Sequence, residues 1–108
     1  MYRNRKERDE TEPCYVISIA ASMLGMPTYT LRYYEKIGII EPYRSRGNIR
    51  LYSENDIELL RRVKTLVDDL GVNLAGVEVI LHMMQHMVEL QNELEQLREE
   101  LEPGEVDE

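Results

Sequence analysis

The chain has 108 residues, of which 43% are hydrophobic and 31% are charged, and these proportions fit one soluble globular domain. Its single cysteine excludes an internal disulfide and a zinc site built from several cysteines. The net charge of −8, taken alone, argues against a polyanionic partner such as nucleic acid.

The charge is, however, distributed unevenly along the chain. Residues 13–52 hold five cations against two acids and have a net charge of +3. Residues 73–108 hold ten acids and one cation and have a net charge of −9. Because such a distribution attracts a polyanion to one part of a molecule and repels it from the other, residues 13–52 are the predicted place for a nucleic-acid contact.

Residues 1–14 are expected to form a flexible charged arm that ends around Pro13. The arm lacks the apolar core of a signal peptide, and no apolar run in the sequence approaches the roughly 20 residues needed to cross a bilayer. We therefore expect a cytoplasmic protein. Cys14 is interpreted as an incidental residue at the edge of a segment.

Residues 18–38 have the pattern of two short helices joined by a turn. Ser18 is expected to cap the first helix, which stops at Gly25. Pro27 is expected to open the second helix, which ends at Gly38. Two helices arranged in this way can place the second one in the major groove of DNA.

The second helix carries side chains that suit a contact with DNA. Leu31 and Tyr34 are three residues apart and predict its buried face. The remaining hydroxyl and cationic groups can bind phosphates and base edges. The predicted DNA-binding residues of this helix are Thr28, Tyr29, Thr30, Arg32, Tyr33 and Lys36. The alternative is that Tyr33, like Tyr34, is a core aromatic in a chain without Phe or Trp.

An arginine-rich hairpin is predicted next. Gly47 and Asn48 lie between two extended segments and are expected to form its turn. The even-numbered spacing of the arginines places them on one face, where they can follow a phosphate backbone. The predicted DNA-binding residues of the hairpin are Arg44, Arg46, Asn48, Arg50 and Tyr52. The alternatives are a solvated hairpin whose charges protect an edge strand, and an Asn48 that only satisfies the turn.

Two further helices are predicted after the hairpin. Ser53 and Asp56 form a capping box for a third helix, which runs to about Asp69. Asn73 is expected to cap a fourth helix. From Ile80 onward, apolar residues recur in steps of three and four, the pattern of a coiled coil. The predicted dimerisation residues are Met83, Met87, Leu90, Leu94, Leu97 and Leu101.

The elements together predict a mainly α-helical fold, a winged helix-turn-helix domain with a small β-hairpin wing and a long C-terminal dimerisation helix. A second copy of the chain is the simplest cover for the apolar stripe of that helix. The predicted segments are a flexible arm at residues 1–14, the winged domain at residues 15–81, a coiled-coil helix at residues 82–101 and an acidic tail at residues 102–108.

No catalytic or metal site is expected. His82 and His86 lie four residues apart on a helix and can bind a transition metal, with thioethers such as that of Met83 nearby. No further ligand completes the set, and methionines at helical spacing usually belong to a core. The sequence has no Gly-rich phosphate loop and no plausible arrangement of nucleophile and base, so we expect neither an enzyme nor a cofactor.

The sequence resembles the MerR family of bacterial transcription regulators over about residues 15–81. The matching stretches are Ile17 to Ala21, Gly25, Thr30 to Glu35, Gly38 to Ile40, Pro42, Arg46 to Tyr52, and Asp56 with Ile57. The resemblance implies a homodimer whose terminal helices pair antiparallel. Dimer symmetry then implies an inverted-repeat operator in double-stranded DNA.

Particular stretches of this sequence are similar to two subgroups of the family. Residues 15–21 and 71–77 look like the heat-shock repressor subgroup, which implies repression of chaperone operons with the chaperone as a corepressor. Residues 44–51 and 73–76 are also similar to the glutamine-synthetase repressor subgroup, so a regulon of nitrogen metabolism is the alternative. A coiled-coil interaction protein that does not bind DNA is the alternative from another functional class.

Overall fold

The computed structural model describes residues 9–102, which form two compact units divided after Gly71. The elements in chain order are strand β1 (Tyr15–Val16), helices α1 (Ile17–Leu24) and α2 (Thr28–Lys36), strands β2 (Tyr43–Arg44) and β3 (Arg50–Tyr52), helix α3 (Glu54–Lys64), a π-helical turn (Thr65–Asp69) and helix α4 (Leu74–Leu101). The mainly helical fold with a small hairpin is confirmed. Residues 1–8 of the predicted arm and 103–108 of the predicted tail lie outside the described residues.

The described part of the predicted arm is hydrogen bonded to the first unit. The backbone N–H of Cys14 donates to the carbonyl of Tyr52, and the N–H of Asn55 donates to the carbonyl of Glu10, each at 3.0 Å. These two hydrogen bonds join Glu10 and Cys14 to the residues around β3 and the start of α3, and the flexibility of the arm stays a prediction.

Helices α1 and α2 form the predicted helix-turn-helix pair. Helix α1 begins two residues earlier than predicted: its N-cap is Val16, and Ser18, the predicted cap, lies inside the helix. Gly25 ends α1 in the left-handed conformation at φ 65°, which glycine adopts readily because it has no Cβ. Pro27 is the N-cap of α2, and Leu31 and Tyr34 form its buried face as predicted.

A three-stranded antiparallel sheet in the order β1, β3, β2 lies beside the helices. The hairpin of β2 and β3 is confirmed, whereas the pairing of β1 with β3 was not predicted. The turn lies one residue earlier than expected, since the N–H of Asn48 donates to the carbonyl of Ser45 at 2.8 Å. Asn48 follows this turn with a left-handed φ of 62°, a conformation that asparagine tolerates well.

The core of the first unit joins α1, α2, β3 and α3. Leu31, Tyr52, Leu60 and Val63 are fully buried and come from three of these elements. Tyr52 was predicted to contact DNA, and this prediction is wrong, because no part of its side chain is exposed. Burial of a ring of this size stabilises the fold by about 2 kcal/mol or more, so a role in the core accounts for the residue.

Helix α3 begins at the predicted capping box. Ser53 Oγ accepts from the N–H of Asp56 at 3.1 Å, and the Asp56 carboxylate accepts from the N–H of Ser53 at 2.9 Å. The helix widens after Lys64 into the π-helical turn, where the N–H of Leu70 reaches back to the carbonyl of Thr65. The predicted end near Asp69 is confirmed, and the π-helical turn is a feature that the sequence pattern did not indicate.

Helix α4 is one continuous element of 28 residues. Asn73 caps it as predicted, with Oδ1 accepting from the N–H of Gly76 at 2.8 Å. The predicted boundary between residues 81 and 82 falls inside this helix. Val77, in the first turn of α4, is fully buried. Among residues 9–102, no helix is long and apolar enough to cross a membrane.

Candidate nucleic-acid interface

The solvent face of α2 carries four of the six side chains predicted for it. Tyr29 and Tyr33 are 71% and 49% exposed, and Arg32 and Lys36 are also exposed, whereas Thr28 and Thr30 are half-buried. The guanidinium of Arg32 donates from Nη1 to the hydroxyl of Thr28 one turn earlier, at 3.2 Å. Hydroxyl, aromatic and cationic groups are thus displayed on the side of α2 opposite its core contacts.

The electrostatics of α2 favour an anion at its start. No acidic residue lies in its first turn, and Lys36 lies in its last turn. The unpaired N–H groups at the start of a helix carry a partial positive charge that attracts phosphate when no carboxylate neutralises it. The first turn of α2, where Tyr29 and Thr30 lie, is therefore suited to a phosphate group.

Two hairpin arginines are held by one acid on α2. Arg44 and Arg50 are direct cross-strand neighbours on β2 and β3. Glu35 accepts from Arg50 Nε at 2.6 Å through Oε1 and from Arg44 Nη2 at 2.9 Å through Oε2. The three side chains are between 22% and 37% exposed. This cluster of Glu35, Arg44 and Arg50, hereafter the α2–wing cluster, fastens the hairpin to the helix and keeps a net charge of +1.

The ionised form of Glu35 is favoured by its two partners. Burial acts to raise the pKa of the carboxyl group, but the hydrogen bonds and positive charges of Arg50 and Arg44 outweigh it and hold the pKa below its ordinary value of 4.5. Glu35 is therefore a carboxylate at neutral pH and keeps both ion pairs.

The remaining hairpin residues have different surroundings. Arg46 lies exposed in the turn. Asn48 uses its backbone in the turn, where its carbonyl accepts from Arg44 Nη1 at 3.3 Å. The hydroxyl of the buried Tyr52 has no hydrogen-bond partner among the described residues, and burial followed by the charge of Glu35 raises the pKa of this phenol. The structure thus brings Arg44 and Arg50 to α2 and places Tyr52 beneath them in the core.

Glu35 is the residue that sequence reasoning missed. It is one of only two acids among residues 13–52, where five cations lie. An acid inside a segment predicted to bind a polyanion either pairs with a cation of the protein or lowers the affinity for the polyanion. That contrast was the available signal, but the identity of the partner depends on tertiary contacts.

The predicted dimerisation residues form an exposed apolar stripe along α4. Met83, Met87, Leu90, Leu94 and Leu97 are each between 51% and 59% exposed, and Leu101 is 82% exposed. Within the described residues, none of these six side chains is buried by the chain itself.

The histidine pair of α4, His82 and His86, is exposed to solvent. His86 Nδ1 lies 3.7 Å from a carboxylate oxygen of Glu89, and both side chains are well exposed. No group of three or more histidine, cysteine, aspartate or glutamate residues suited to a metal ion occurs within residues 9–102. The other histidine, cysteine, aspartate and glutamate residues of this range therefore do not complete a site with the two histidines.

A helix-turn-helix pair followed by a short hairpin defines the winged helix-turn-helix class of domain. Residues 15–84, more than half of the chain, match the family model for the MerR HTH family regulatory protein. The chain belongs to the MerR family, and the resemblance found in the sequence is confirmed.

Two curated relatives illustrate this membership. The putative heat shock protein HspR of Streptomyces coelicolor is 46% identical over 89 residues, which are 82% of this chain and 59% of that protein. The transcriptional regulator GlnR of Bacillus cereus is 33% identical over 94 residues, which are 87% of this chain and 72% of that protein. The chain thus spans less than two thirds of the length of the Streptomyces relative. GlnR bears the name of a transcriptional regulator, and neither relative bears the name of an enzyme, in agreement with the predicted class.

Two solved structures share the fold. HiNmlR, described as a MerR family regulator that lacks the sensor domain and is bound to promoter DNA, has a TM-score of 0.57 at 20% identity, over 81% of this chain and 77% of that one. A MerR family transcriptional regulator from Bacillus cereus has a TM-score of 0.55 at 20% identity and covers 87% of each chain. At this identity, the likeness establishes the fold alone.

The pKa of Glu35 leads to a prediction about stability. A carboxyl group whose pKa is lower in the folded state stabilises the fold above its unfolded pKa, and this contribution is lost as the pH falls below that value. We expect Glu35→Gln to lower the free energy of unfolding by about 1 kcal/mol at about pH 7, and by much less at an acid pH below the lowered pKa of the folded state, where the wild-type carboxyl group is protonated as well. Urea unfolding at one fixed protein concentration measures the difference.

The exposed Glu58 of α3 provides the control for this measurement, since Glu58→Gln removes the same charge outside the α2–wing cluster. Its effect is expected to be small at both pH values. An equal loss of stability for Glu35→Gln at neutral and acid pH would contradict the ion-pair interpretation.

Proposed function

We propose that this protein is a sequence-specific DNA-binding regulator of transcription. In this proposal, α2 enters the major groove, and Tyr29, Arg32 and Tyr33 contact base edges and phosphates. The hairpin lies along the adjacent backbone, where Arg46 and Arg50 bind phosphate. The net charge of +3 in residues 13–52 supports this choice of surface.

The observation that carries the proposal is the α2–wing cluster. DNA recognition by a helix and a wing requires the two elements to keep a fixed separation, because a shift of about 1 Å at a bound surface weakens many contacts together. Glu35 supplies this link through hydrogen bonds of 2.6 Å and 2.9 Å to the hairpin. A solvated hairpin whose charges only protect a sheet edge would not need to be fastened to the exposed helix.

We further propose that the protein acts as a homodimer. The apolar stripe of α4 has the three-four spacing of a coiled coil, and its leucines stay exposed in the single chain. Two copies paired along this stripe, antiparallel as the family resemblance implies, would present two α2 helices to successive major grooves. Such a dimer matches an inverted-repeat operator.

For the regulated genes, we propose repression of heat-shock or chaperone operons. This proposal is supported by the 46% identity with the putative heat shock protein of Streptomyces coelicolor. It includes a chaperone as corepressor, as the sequence resemblance to that subgroup implies. A regulon of nitrogen metabolism is the second candidate, supported by the 33% identity with GlnR of Bacillus cereus. Sequencing the genomic fragments that the protein retains separates the two.

The DNA proposal predicts a specific loss for Arg32→Ala. The probe is a duplex that the wild-type protein selects from a random-sequence pool, and fluorescence anisotropy measures its affinity. Removal of one guanidinium from each recognition helix is expected to weaken binding about ten- to hundredfold. The wild-type affinity is expected to fall with salt with a log–log slope of about −4 to −5, since four to six phosphates are neutralised per dimer.

Arg98→Ala is the matched control, because it removes the same charge from the acidic part of α4. It is expected to change the affinity by less than about twofold. If the wild-type protein enriches no duplex from the pool, or if Arg32→Ala binds as well as wild type, the proposed interface fails and a coiled-coil interaction protein becomes the better interpretation.

The dimer proposal predicts that Leu94→Glu dissociates the protein. Burial of a leucine contributes about 2 kcal/mol, and two copies are lost per dimer, so dimerisation should weaken by at least about a hundredfold. Sedimentation equilibrium measures the change. Gln96→Glu adds the same charge two residues away at a position outside the apolar stripe, and it should leave the dimer intact. A wild-type protein that sediments as a monomer at micromolar concentration would contradict the proposal.

A further inference from the structure

The two arginines of the α2–wing cluster use their donors differently. Arg44 donates both terminal nitrogens within the protein, Nη2 to Glu35 at 2.9 Å and Nη1 to the Asn48 carbonyl at 3.3 Å. Arg50 donates only Nε to Glu35, at 2.6 Å. Among the described residues, its two terminal nitrogens have no hydrogen-bond partner. Glu35 thus holds the Nε side of the Arg50 guanidinium, its inner edge. The two terminal nitrogens form the outer edge, which makes no hydrogen bond among the described residues.

We propose that Glu35 is a positioning residue that aims the outer edge of Arg50 at a DNA phosphate, while Arg44 serves as the second anchor of Glu35. The inference rests on the proposed DNA-binding function and assigns different tasks to two cations that are equivalent in the sequence. A guanidinium suits this task because it is planar and has five donors, so that one edge can bind a carboxylate while the other binds a phosphate in two hydrogen bonds.

The cross-strand geometry supports this division. Arg44 and Arg50 are direct neighbours on β2 and β3, and two like charges in this position repel each other unless an anion lies between them. Glu35 supplies the anion from a helix that is held in the core by Leu31 and Tyr34. The position of the Glu35 carboxylate is therefore set by the packed core of the domain. The carboxylate in turn sets the orientation of the Arg50 guanidinium.

Positioning and simple charge attraction predict opposite signs for one substitution. Glu35→Gln raises the charge of each protomer by one unit, so charge alone predicts tighter binding of any DNA. Loss of the fixed orientation instead requires Arg50 to be ordered when the phosphate binds, which costs about three- to tenfold in affinity. The orientation effect applies only where the phosphate must occupy a defined place, that is, on a selected duplex.

The experiment compares two duplexes of equal length, one selected by the wild-type protein from a random-sequence pool and one with the same bases scrambled. Glu35→Gln is expected to bind the selected duplex about fivefold more weakly than wild type and the scrambled duplex no more weakly. Glu41→Gln is the matched control, since it removes the same charge from an exposed residue six positions away. It should weaken neither complex.

Arg50→Lys and Arg44→Lys provide a second comparison that keeps the charge of the cluster. An ammonium group cannot present two parallel donors to a phosphate while another edge holds a carboxylate, so Arg50→Lys should weaken the selected complex about fivefold. Arg44→Lys should weaken it by less than about twofold, because an ammonium group can still reach Glu35. Glu35→Asp, which keeps the charge on a shorter arm, should restore part of the affinity that Glu35→Gln loses.

Thermal unfolding of each variant shows whether a loss of affinity reflects lost positioning or a lost fold. If Glu35→Gln does not fold, the comparison of Arg44→Lys with Arg50→Lys tests the positioning role instead. The inference is overturned if Glu35→Gln binds the selected duplex as tightly as wild type, or if Arg44→Lys and Arg50→Lys lose affinity equally. In either case, a selected duplex still exists and the proposed function stands. If the wild-type protein selects no duplex, the proposed function itself fails.

Discussion

The ion-pair bridge from Glu35 to Arg44 and Arg50 is the interaction on which the proposed interface depends. It joins an exposed helix to a hairpin whose strands contain only two and three residues. A hairpin this short is marginal by itself, and two opposed arginines would make it weaker. The carboxylate removes the repulsion and, because the helix that carries it is packed into the core, gives the hairpin a defined place.

The remaining structure separates positive from negative charge. The elements of the first unit carry the cations of α2 and the hairpin, whereas α4 combines exposed leucines such as Leu94 with a series of glutamates. A polyanion is repelled by α4 and attracted to the hairpin, so the two surfaces do not compete for the same partner. The acidic composition of the whole chain is thus compatible with a DNA-binding surface, because that surface needs positive charge only in residues 13–52 and not in the chain as a whole.

Local signals predicted most of the fold, and tertiary contacts account for what they missed. The capping box at Ser53 and the turn at Gly25 depend on neighbouring residues, and both are confirmed. The strand β1 pairs with a segment about 36 residues away, a contact that no local pattern reveals. Tyr52 follows the hairpin arginines in the sequence, but its position there does not show that its side chain is buried in the core. Glu35 was missed for the same reason, since its partners lie 9 and 15 residues away.

The bridge is tested most directly by an NMR measurement of hydrogen exchange at the Nε–H groups of the arginine side chains. If Glu35 holds Arg50 as described, the Nε–H of Arg50 exchanges with water more slowly than that of the exposed Arg46, and Glu35→Gln abolishes the difference. Equal exchange rates for Arg50 and Arg46 in the wild-type protein would show that the carboxylate does not hold the guanidinium, and the link between helix and wing would have to be abandoned.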